Sequence, residues 1–194
     1  MTTWPPSSRS PRLTTDRLIL RPFFEADAED VARLAGDRLI AATTLRIPHP
    51  YELHDAKTWL ATHAESWVKG RGVNWAIERL EDRELIGTVG LDLDLPHERA
   101  MMGYWIGHPF WRQGYGTEAA GAAMRYAFVG LGMHRVDAHA LAGNEYSIRI
   151  LTRIGMLPEG TWRDFVKKWG TFHDVHAFAM LRDDFDAMQR KAGE

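Results

Sequence analysis

Residues 111–118, Trp-Arg-Gln-Gly-Tyr-Gly-Thr-Glu, place two glycines one position apart, and five Ala or Gly residues follow at 119–123. Glycine has no Cβ, so the chain can turn tightly there with its N–H groups pointing inward. If such a turn opens a helix, the unpaired first-turn amides and the positive end of the helix dipole can bind a phosphate without a lysine. The stretch therefore predicts an anion-binding turn, and the small residues behind it predict a helix lying close against a sheet.

Two familiar phosphate-binding motifs resemble this stretch and are excluded by their context. The spacing Gly114-x-Gly116-x-x-Ala119 matches the dinucleotide fingerprint, which needs a strand running into the first glycine and an acid closing the next strand. Here the strand-like residues 101–106 end too early, and Asp137 falls in the middle of the next strand pattern. No Gly-Lys-Ser/Thr follows, which excludes a P-loop. A plain strand-to-helix turn without a ligand is the alternative.

Composition narrows the function classes. A chain of 194 residues with 45% hydrophobic and 26% charged residues fits one domain. The net charge of −2 argues against a nucleic-acid partner, and no run approaches the ~18 apolar residues of a membrane span. The chain has no cysteine, and the His pairs 173/176 and 134/139 would point to opposite faces of strands, so we expect no metal site. We expect a cytoplasmic protein without a membrane partner.

The hydrophobic pattern predicts an α+β architecture, a mixed sheet with helices on both faces, in the order β-α-α-β-β-β-α-β-α-β-β. Residues 1–11 are predicted to be a disordered leader, 12–182 a single domain, and 183–194 a polar tail whose helicity is left open. The predicted strands lie within 12–22, 73–80, 84–95, 98–107, 134–141, 157–168 and 171–180. The predicted helices cover 28–35, 55–68, the segment from the glycine turn to about 130, and the segment from the N-cap Asn144 to Gly155. The proline-containing loop 47–51 between the first two helices is predicted to act as a lid.

Six short motifs in this order resemble the GNAT N-acetyltransferases, and most closely the branch of the RimJ/RimL ribosomal-protein N-terminal acetyltransferases. The resemblance covers about residues 12–181. The motifs are Thr15 to Arg21, Leu85 to Leu91, Gly103 to Ile106, Trp111 to Ala119, Asn144 to Met156, and His173-Asp174. Each is loose on its own, and the specificity lies in their order. The resemblance implies the GNAT acyl-CoA N-acyltransferase fold with a splayed central strand pair.

The resemblance also implies acetyl-CoA as the acyl donor. Its pyrophosphate is expected on the amides of residues 112–117, and its pantetheine in a V-shaped gap between the strand ending at Ile106 and the strand starting at His134. Arg112, which stands where a glycine is common, could reach the phosphates or lie on the surface. The expected cofactor-binding residues are Trp105, Ile106, Gly107, Arg112, Gln113, Gly114, Tyr115, Gly116, Thr117, Asn144, Ser147 and Arg153.

For the chemistry, the absence of cysteine and of a Gly-x-Ser-x-Gly elbow favours direct attack of the amine in a ternary complex. Leu151 stands where many GNAT enzymes carry a general-acid tyrosine, and the resemblance then implies that Ser147 is the general acid and that Asn144 holds the pantetheine. Asn144 and Ser147 could equally be an N-cap and a first-turn residue without function. Tyr146 is the substitute if Ser147 points away.

The general base is less determined. Members of the family that the chain resembles often carry a glutamate at the position of Met101. Glu98 is our candidate for the general base, and the other candidates are His97, His108, Asp92 and Asp94. Each of them could instead be a surface group. An α-amine with a pKa near 8 is partly neutral already and needs little help. We therefore expect a primary-amine acceptor, first of all a protein N-terminus, with Trp105, Trp162 and Phe165 as aromatic walls. A small-molecule amine acetyltransferase, a non-catalytic acyl-CoA-binding module and a homodimer are left open.

Overall fold

A computed structural model describes residues 10–192 together with Trp4 and Ser7. One eight-stranded mixed sheet runs through it, in the spatial order β1-β2-β3-β4-β5-β6-β8-β7. The strands are β1 Leu13–Thr14, β2 Leu18–Arg21, β3 Gly72–Arg79, β4 Leu85–Asp94, β5 Arg99–Ile106, β6 Arg135–Leu141, β7 Leu157–Lys168 and β8 Thr171–Leu181. The helices are α1 Ala28–Ala35, α2 Arg38–Thr43, α3 Leu53–Ala61, α4 His63–Val68, α5 Tyr115–Arg125, α6 Glu145–Arg153 and α7 Arg182–Ala192. The predicted mixed-sheet α+β class is confirmed.

The central strand pair opens as predicted. Strands β5 and β6 are parallel and pair from Arg99↔Arg135 to Met102↔Ala138. Beyond that point β5 stays paired with β4, up to Ile106↔Gly87, while β6 stays paired with β8, up to Leu141↔Val175. The two strands therefore part after Met102 and Ala138, and this opening is called the gap below.

Helix α5 lies close against the sheet. Ala119, Ala120 and Ala123 are fully buried, and the helix contacts β4 and β5. The small side chains allow this approach, since a longer residue at any of these three positions would hold the helix away from the strands. The start of α5 is thereby fixed beside the end of β5.

The structure differs from the predicted elements between the first and second long strands. A turn at Thr15, whose N–H donates to the Leu18 carbonyl at 3.0 Å, divides the first strand into β1 and β2. The predicted helix 55–68 breaks at Thr62 into α3 and α4. Helix α2 was not predicted: it has only six residues, and its N-cap Asp37 accepts a hydrogen bond from the Leu39 N–H at 2.9 Å.

At the ends of the chain, residues 182–192 form α7. The disordered leader was predicted for 1–11, most of which lies outside the described residues. Within that stretch, Trp4 Nε1 donates to the Trp67 carbonyl at 3.0 Å, and Trp67 Nε1 donates to the Ser7 carbonyl at 2.9 Å. None of the helices in the described part of the chain combines the length and the apolar character that a membrane crossing requires.

Candidate active site

A cavity of about 1340 Å³ extends from the glycine turn through the gap to the first helices. Its walls are the gap side of β5 and β6, the start of α5, helix α6, and the segment that follows α2. Within this cavity the described carboxylates are those of Asp55 and Asp92. The cavity therefore joins the glycine turn to a sheet opening, with little negative charge along its walls.

The glycine turn has the backbone shape of an anion site. Arg112 and Gly114 adopt left-handed conformations, with φ of 63° and 85°. No side chain caps α5, and the Glu118 N–H makes an early helical bond to the Gly114 carbonyl at 3.1 Å. The N–H groups of residues 115–117 are thus the orphan donors of a helix start, where the dipole also favours an anion.

Thr15 and Arg17, which belong to the first of the six family motifs, hold the glycine turn in place. Glu118 accepts hydrogen bonds from the Thr15 hydroxyl at 2.7 Å and from the Arg17 N–H at 2.9 Å, and its carboxylate pairs with the Arg17 guanidinium. Arg17 also donates to the Gln113 carbonyl at 3.0 Å. Burial works against ionisation of Glu118, but these hydrogen bonds outweigh it and lower its pKa. An ionised Glu118 therefore ties the turn to the start of β2.

The mouth of the cavity near the turn is basic. Arg112, Arg149 and Arg153 all line it. The guanidinium groups of Arg112 and Arg149 each lie 5.1 Å from the centre of the Tyr146 ring. These charges suit a polyphosphate ligand next to the orphan amides.

The backbone of β5 also decides which groups face the gap. The Gly107 N–H donates to the Ile86 carbonyl at 2.8 Å, so Gly107 is turned toward β4. Because peptide groups alternate in direction along an antiparallel pair, Trp105 also faces β4, whereas Tyr104 and Ile106 face the gap. An extended ligand in the gap can therefore pair with the main chain of Tyr104 and with the N–H of Ile106, whose carbonyl already accepts a hydrogen bond from the Trp111 Nε1.

The first turn of α6 places the Ser147 hydroxyl beside the hydroxyl of Tyr104 on β5. The Ser147 Oγ lies 2.9 Å from the Tyr104 hydroxyl. Asn144 caps the helix by accepting from the Ser147 N–H at 3.1 Å. Burial raises the pKa of the Tyr104 phenol, and the Ser147 hydrogen bond only partly opposes it. Tyr104 is therefore protonated at neutral pH and can pass a proton to or from Ser147.

A lid segment, defined here as residues 43–48, forms part of the cavity wall. The Asn144 Nδ2 donates to the Thr43 carbonyl at 2.9 Å. From the β7–β8 hairpin, the Lys168 Nζ donates to the Thr44 carbonyl at 2.7 Å and approaches the Ile47 carbonyl at 3.4 Å. Burial lowers the pKa of this ammonium. The lid segment is thus held at three points, by α6, by the hairpin, and by the ion pair of Arg46 with Asp92 on β4.

Replacing Lys168 with Met is expected to raise the KM for the acceptor roughly 3- to 10-fold, since one or two hydrogen bonds of about 1 kcal/mol each are lost from the lid segment. The affinity for acetyl-CoA should change little. Lys167→Met is the matched control, because Lys167 lies on the other side of β7 with its ammonium 5.2 Å from the Phe172 ring. Steady-state kinetics with both substrates varied provides the measurement. Equal effects of the two substitutions would show that the hydrogen bonds do not shape the acceptor side.

Comparison with known proteins agrees with this geometry. The family model described as an acetyltransferase (GNAT) domain matches residues 17–157. An uncharacterized N-acetyltransferase of Bacillus subtilis, YoaA, is 34% identical over 174 residues, covering 89% of this chain and 97% of that protein. The chain belongs to the GNAT acetyltransferase family.

Two further matches carry more specific names. The [ribosomal protein uS5]-alanine N-acetyltransferase of Escherichia coli is 24% identical, covering 90% of this chain and 92% of its own length. The solved structure of RimL, titled a ribosomal L7/L12 alpha-N-protein acetyltransferase in complex with coenzyme A, has a TM-score of 0.82 at 17% identity, covering 90% of this chain and 99% of that chain. The second match shows a shared fold.

As a GNAT protein the chain is an acetyl-CoA-dependent N-acetyltransferase. The cavity contains most of the residues expected to bind the cofactor. The exceptions are Gly107, whose amide is used by β4, and Gln113, whose side chain donates to the Pro109 carbonyl at 3.2 Å. The residues brought to the cavity are Trp105, Ile106, Arg112, Gly114, Tyr115, Gly116, Thr117, Asn144, Ser147 and Arg153.

The structure does not bring Glu98 to the cavity of this GNAT enzyme. Glu98 is exposed at a turn with φ of 48°, and its carbonyl accepts the His134 N–H at 2.7 Å. Glu98 directly precedes the first residue of β5, whereas the gap lies at the other end of β5, near Ile106. The paired part of β5 and β6 therefore separates its carboxylate from the gap. His97 does not line the cavity either, whereas Asp92 does and pairs with Arg46 at 3.0 Å.

Sequence reasoning did not place Tyr104 beside Ser147 in this GNAT site. Tyr104 was noted only as part of a family motif, although it lies two residues beyond the last residue of β5 that pairs with β6. That register is a tertiary property, and no local signal in the sequence reveals it. In the described part of the chain, no three His, Asp or Glu side chains gather as metal ligands would.

Proposed function

We propose that this enzyme acetylates the α-amine of a protein or peptide N-terminus by direct attack in a ternary complex. The observation that carries the proposal is the single cavity that joins the orphan amides of the glycine turn, the Ser147–Tyr104 pair and the open face of the sheet. The names of the two ribosomal-protein acetyltransferases described above support the same acceptor class.

In this proposal, different residues along the cavity bind the two ends of acetyl-CoA and supply the proton. Acetyl-CoA supplies the thioester that the amine attacks. The amides of residues 115–117 and the guanidinium of Arg112 bind the pyrophosphate, and the main chain of Tyr104 and Ile106 aligns the pantetheine. Ser147, hydrogen-bonded to Tyr104, donates the proton that the departing sulfur needs. Direct transfer is favoured over an acylated enzyme, since the chain has neither a cysteine nor a Gly-x-Ser-x-Gly elbow.

The α-amine is favoured over lysine or a polyamine by protonation and by charge. At pH 7 an α-amine with a pKa near 8 is roughly a tenth neutral, whereas lysine is neutral in fewer than about one in a thousand molecules. Asp55 and Asp92 are the described carboxylates of the cavity, and Asp92 already pairs with Arg46. A polycation would instead be attracted by a cluster of free carboxylates.

A panel of matched acceptors tests this proposal. We expect kcat/KM for a lysine-free peptide with a free N-terminus to exceed that of the N-blocked peptide containing lysine, and that of spermidine, by about 10- to 100-fold. Release of free CoA gives the rate. If spermidine or the blocked peptide reacts as fast as the free N-terminus, the acceptor is of the small-amine or lysine class. If no amine is turned over although acetyl-CoA binds, the transfer reaction itself is contradicted.

A further inference from the structure

His139 occupies a particular place in the sheet. The pairing of β5 with β6 ends at Met102↔Ala138, so Gly103 and His139 are the first residues on either side of the gap. His139 is partly buried and lines the cavity. Because side chains alternate along a strand and paired residues share a face, His139 is on the same face as Met101, the partner of Asp137.

The surface of the sheet beside His139 is open at Gly103. Gly103 is exposed, and a Cβ built on it would have no atom within 4 Å. Across the next pair of strands Gly103 faces Gly90, which is covered by the Asn74 side chain, so the open area is limited to Gly103. An acceptor can therefore approach the backbone of the sheet next to the imidazole, at the point where the gap begins.

Packing holds the imidazole of His139 in place and leaves both of its ring nitrogens without a hydrogen bond to the described residues. The Trp162 ring packs on it edge-on with centroids 4.4 Å apart. Neither ring nitrogen of His139 makes a hydrogen bond to another of the residues described by the structure. The ring is thus oriented by packing, and its lone pair is available to a ligand.

The charges around His139 favour the neutral form. Burial is the largest influence and lowers its pKa; Asp137 on its own strand opposes this, and Arg46 of the lid segment adds to it. Asp92, the partner of Arg46, lies on β4. The facing positions on β5, β7 and β8 are uncharged: Gly103, Trp162 and Ala177. His139 is therefore neutral at pH 7 and able to accept a proton.

We propose that His139 is the general base that takes the proton from the attacking amine. The proposal rests on the proposed function of the cavity. The amine nitrogen forms a bond to the thioester carbonyl carbon, and one N–H proton passes to a ring nitrogen of His139. The carbon–sulfur bond breaks, and the sulfur keeps the electron pair and takes a proton from Ser147. Ser147 regains a proton from solvent by way of the Tyr104 hydroxyl, and His139 gives its proton to solvent, so that amide and CoA thiol are the products with both side chains restored.

The other candidate bases of the cavity are less suited to this step. The two ring nitrogens of His54, the other imidazole of the cavity, are turned to carboxylates, at 3.6 Å from Glu52 and 3.2 Å from Asp55. The carboxylate of Asp92 is already engaged in an ion pair with Arg46. Tyr104 is protonated because burial raises its pKa. An imidazole is better matched to proton transfer near neutral pH.

The test is a pH profile of His139→Gln, which keeps the polar character of the side chain but cannot serve as a base. We expect kcat/KM for a free N-terminal peptide to fall roughly 10- to 1,000-fold. On the acid side the wild-type profile should fall with a limiting slope of about two, for the amine and the imidazole, and the variant with a slope of about one. His176→Gln is the matched control, because His176 lies on β8 outside this cavity and bonds to Thr161 at 2.8 Å.

Folding is checked in the same samples by the thermal shift that acetyl-CoA produces, which should equal that of the wild type. Should His139→Gln fold poorly, His139→Ala with added imidazole replaces it, and imidazole should restore part of its activity but none of that of Ser147→Ala. If the slope of the pH profile is unchanged in His139→Gln and its kcat/KM falls less than about twofold, the assignment of His139 is overturned. Turnover by the wild-type enzyme would in that case still support the proposed function. Failure of the wild-type enzyme to acetylate any amine would instead contradict the proposed function.

Discussion

Replacing Gly116 with Glu is expected to abolish the stabilisation of the protein by acetyl-CoA. A ligand at a hundredfold excess over its Kd stabilises the folded state by about 2.7 kcal/mol, which a thermal melt detects easily. Gly116 is buried at the start of α5, where a Cβ would lie 2.8 Å from the Ile150 side chain. The larger side chain would fill the anion site, and its carboxylate would repel the phosphates at the orphan amides.

Gly121→Glu is the control for this substitution, because Gly121 lies in the same helix and a Cβ there meets only the Ile154 side chain, at 4.0 Å. Both variants exchange a helical glycine for a better helix former and add the same charge. Gly121→Glu should retain the full shift. Normal acetyl-CoA binding by Gly116→Glu would mean that the pyrophosphate does not lie at the glycine turn.

Removing either hydroxyl of the Ser147–Tyr104 pair is expected to lower kcat by roughly 10- to 1,000-fold, the range expected when a general acid is lost and a thiolate can still leave unaided. Ser147→Ala removes the proposed donor itself, and Tyr104→Phe removes the group 2.9 Å from it. Because the two hydroxyls act as one unit, the double variant should be little slower than the slower single variant. Affinity for acetyl-CoA should change little in all three.

Tyr126→Phe is the matched control, since the Tyr126 ring is also packed in the protein, edge-on to Trp75 at 5.5 Å, but does not line the cavity. Asn144→Ala separates catalysis from helix capping, because Asn144 caps α6 and donates to the lid segment. Its loss should lower stability by about 1 kcal/mol and weaken substrate binding more than it lowers kcat. Small, equal effects of Ser147→Ala and Asn144→Ala on kcat would indicate that both residues serve only the helix.

The sequence determined those parts of the site that depend on neighbours along the chain. The glycine at 114 permits the left-handed conformation observed there, whatever the rest of the chain does. The spacing of Asn144 and Ser147 similarly sets the N-cap of α6, in which the Asn144 side chain accepts from the Ser147 N–H. Both are short-range geometries, so the residue types alone predict them.

Only the tertiary structure decided which groups meet across the sheet. The register of β4, β5 and β6 removes Glu98 from the cavity and brings Tyr104 beside Ser147, 43 positions away in the chain. It also places His139 at the start of the gap. The contact of Lys168 with Thr44 spans 124 positions. Such contacts follow from the summed packing of all strands and helices, because a shift of one residue in register would turn every side chain of a strand to the opposite face.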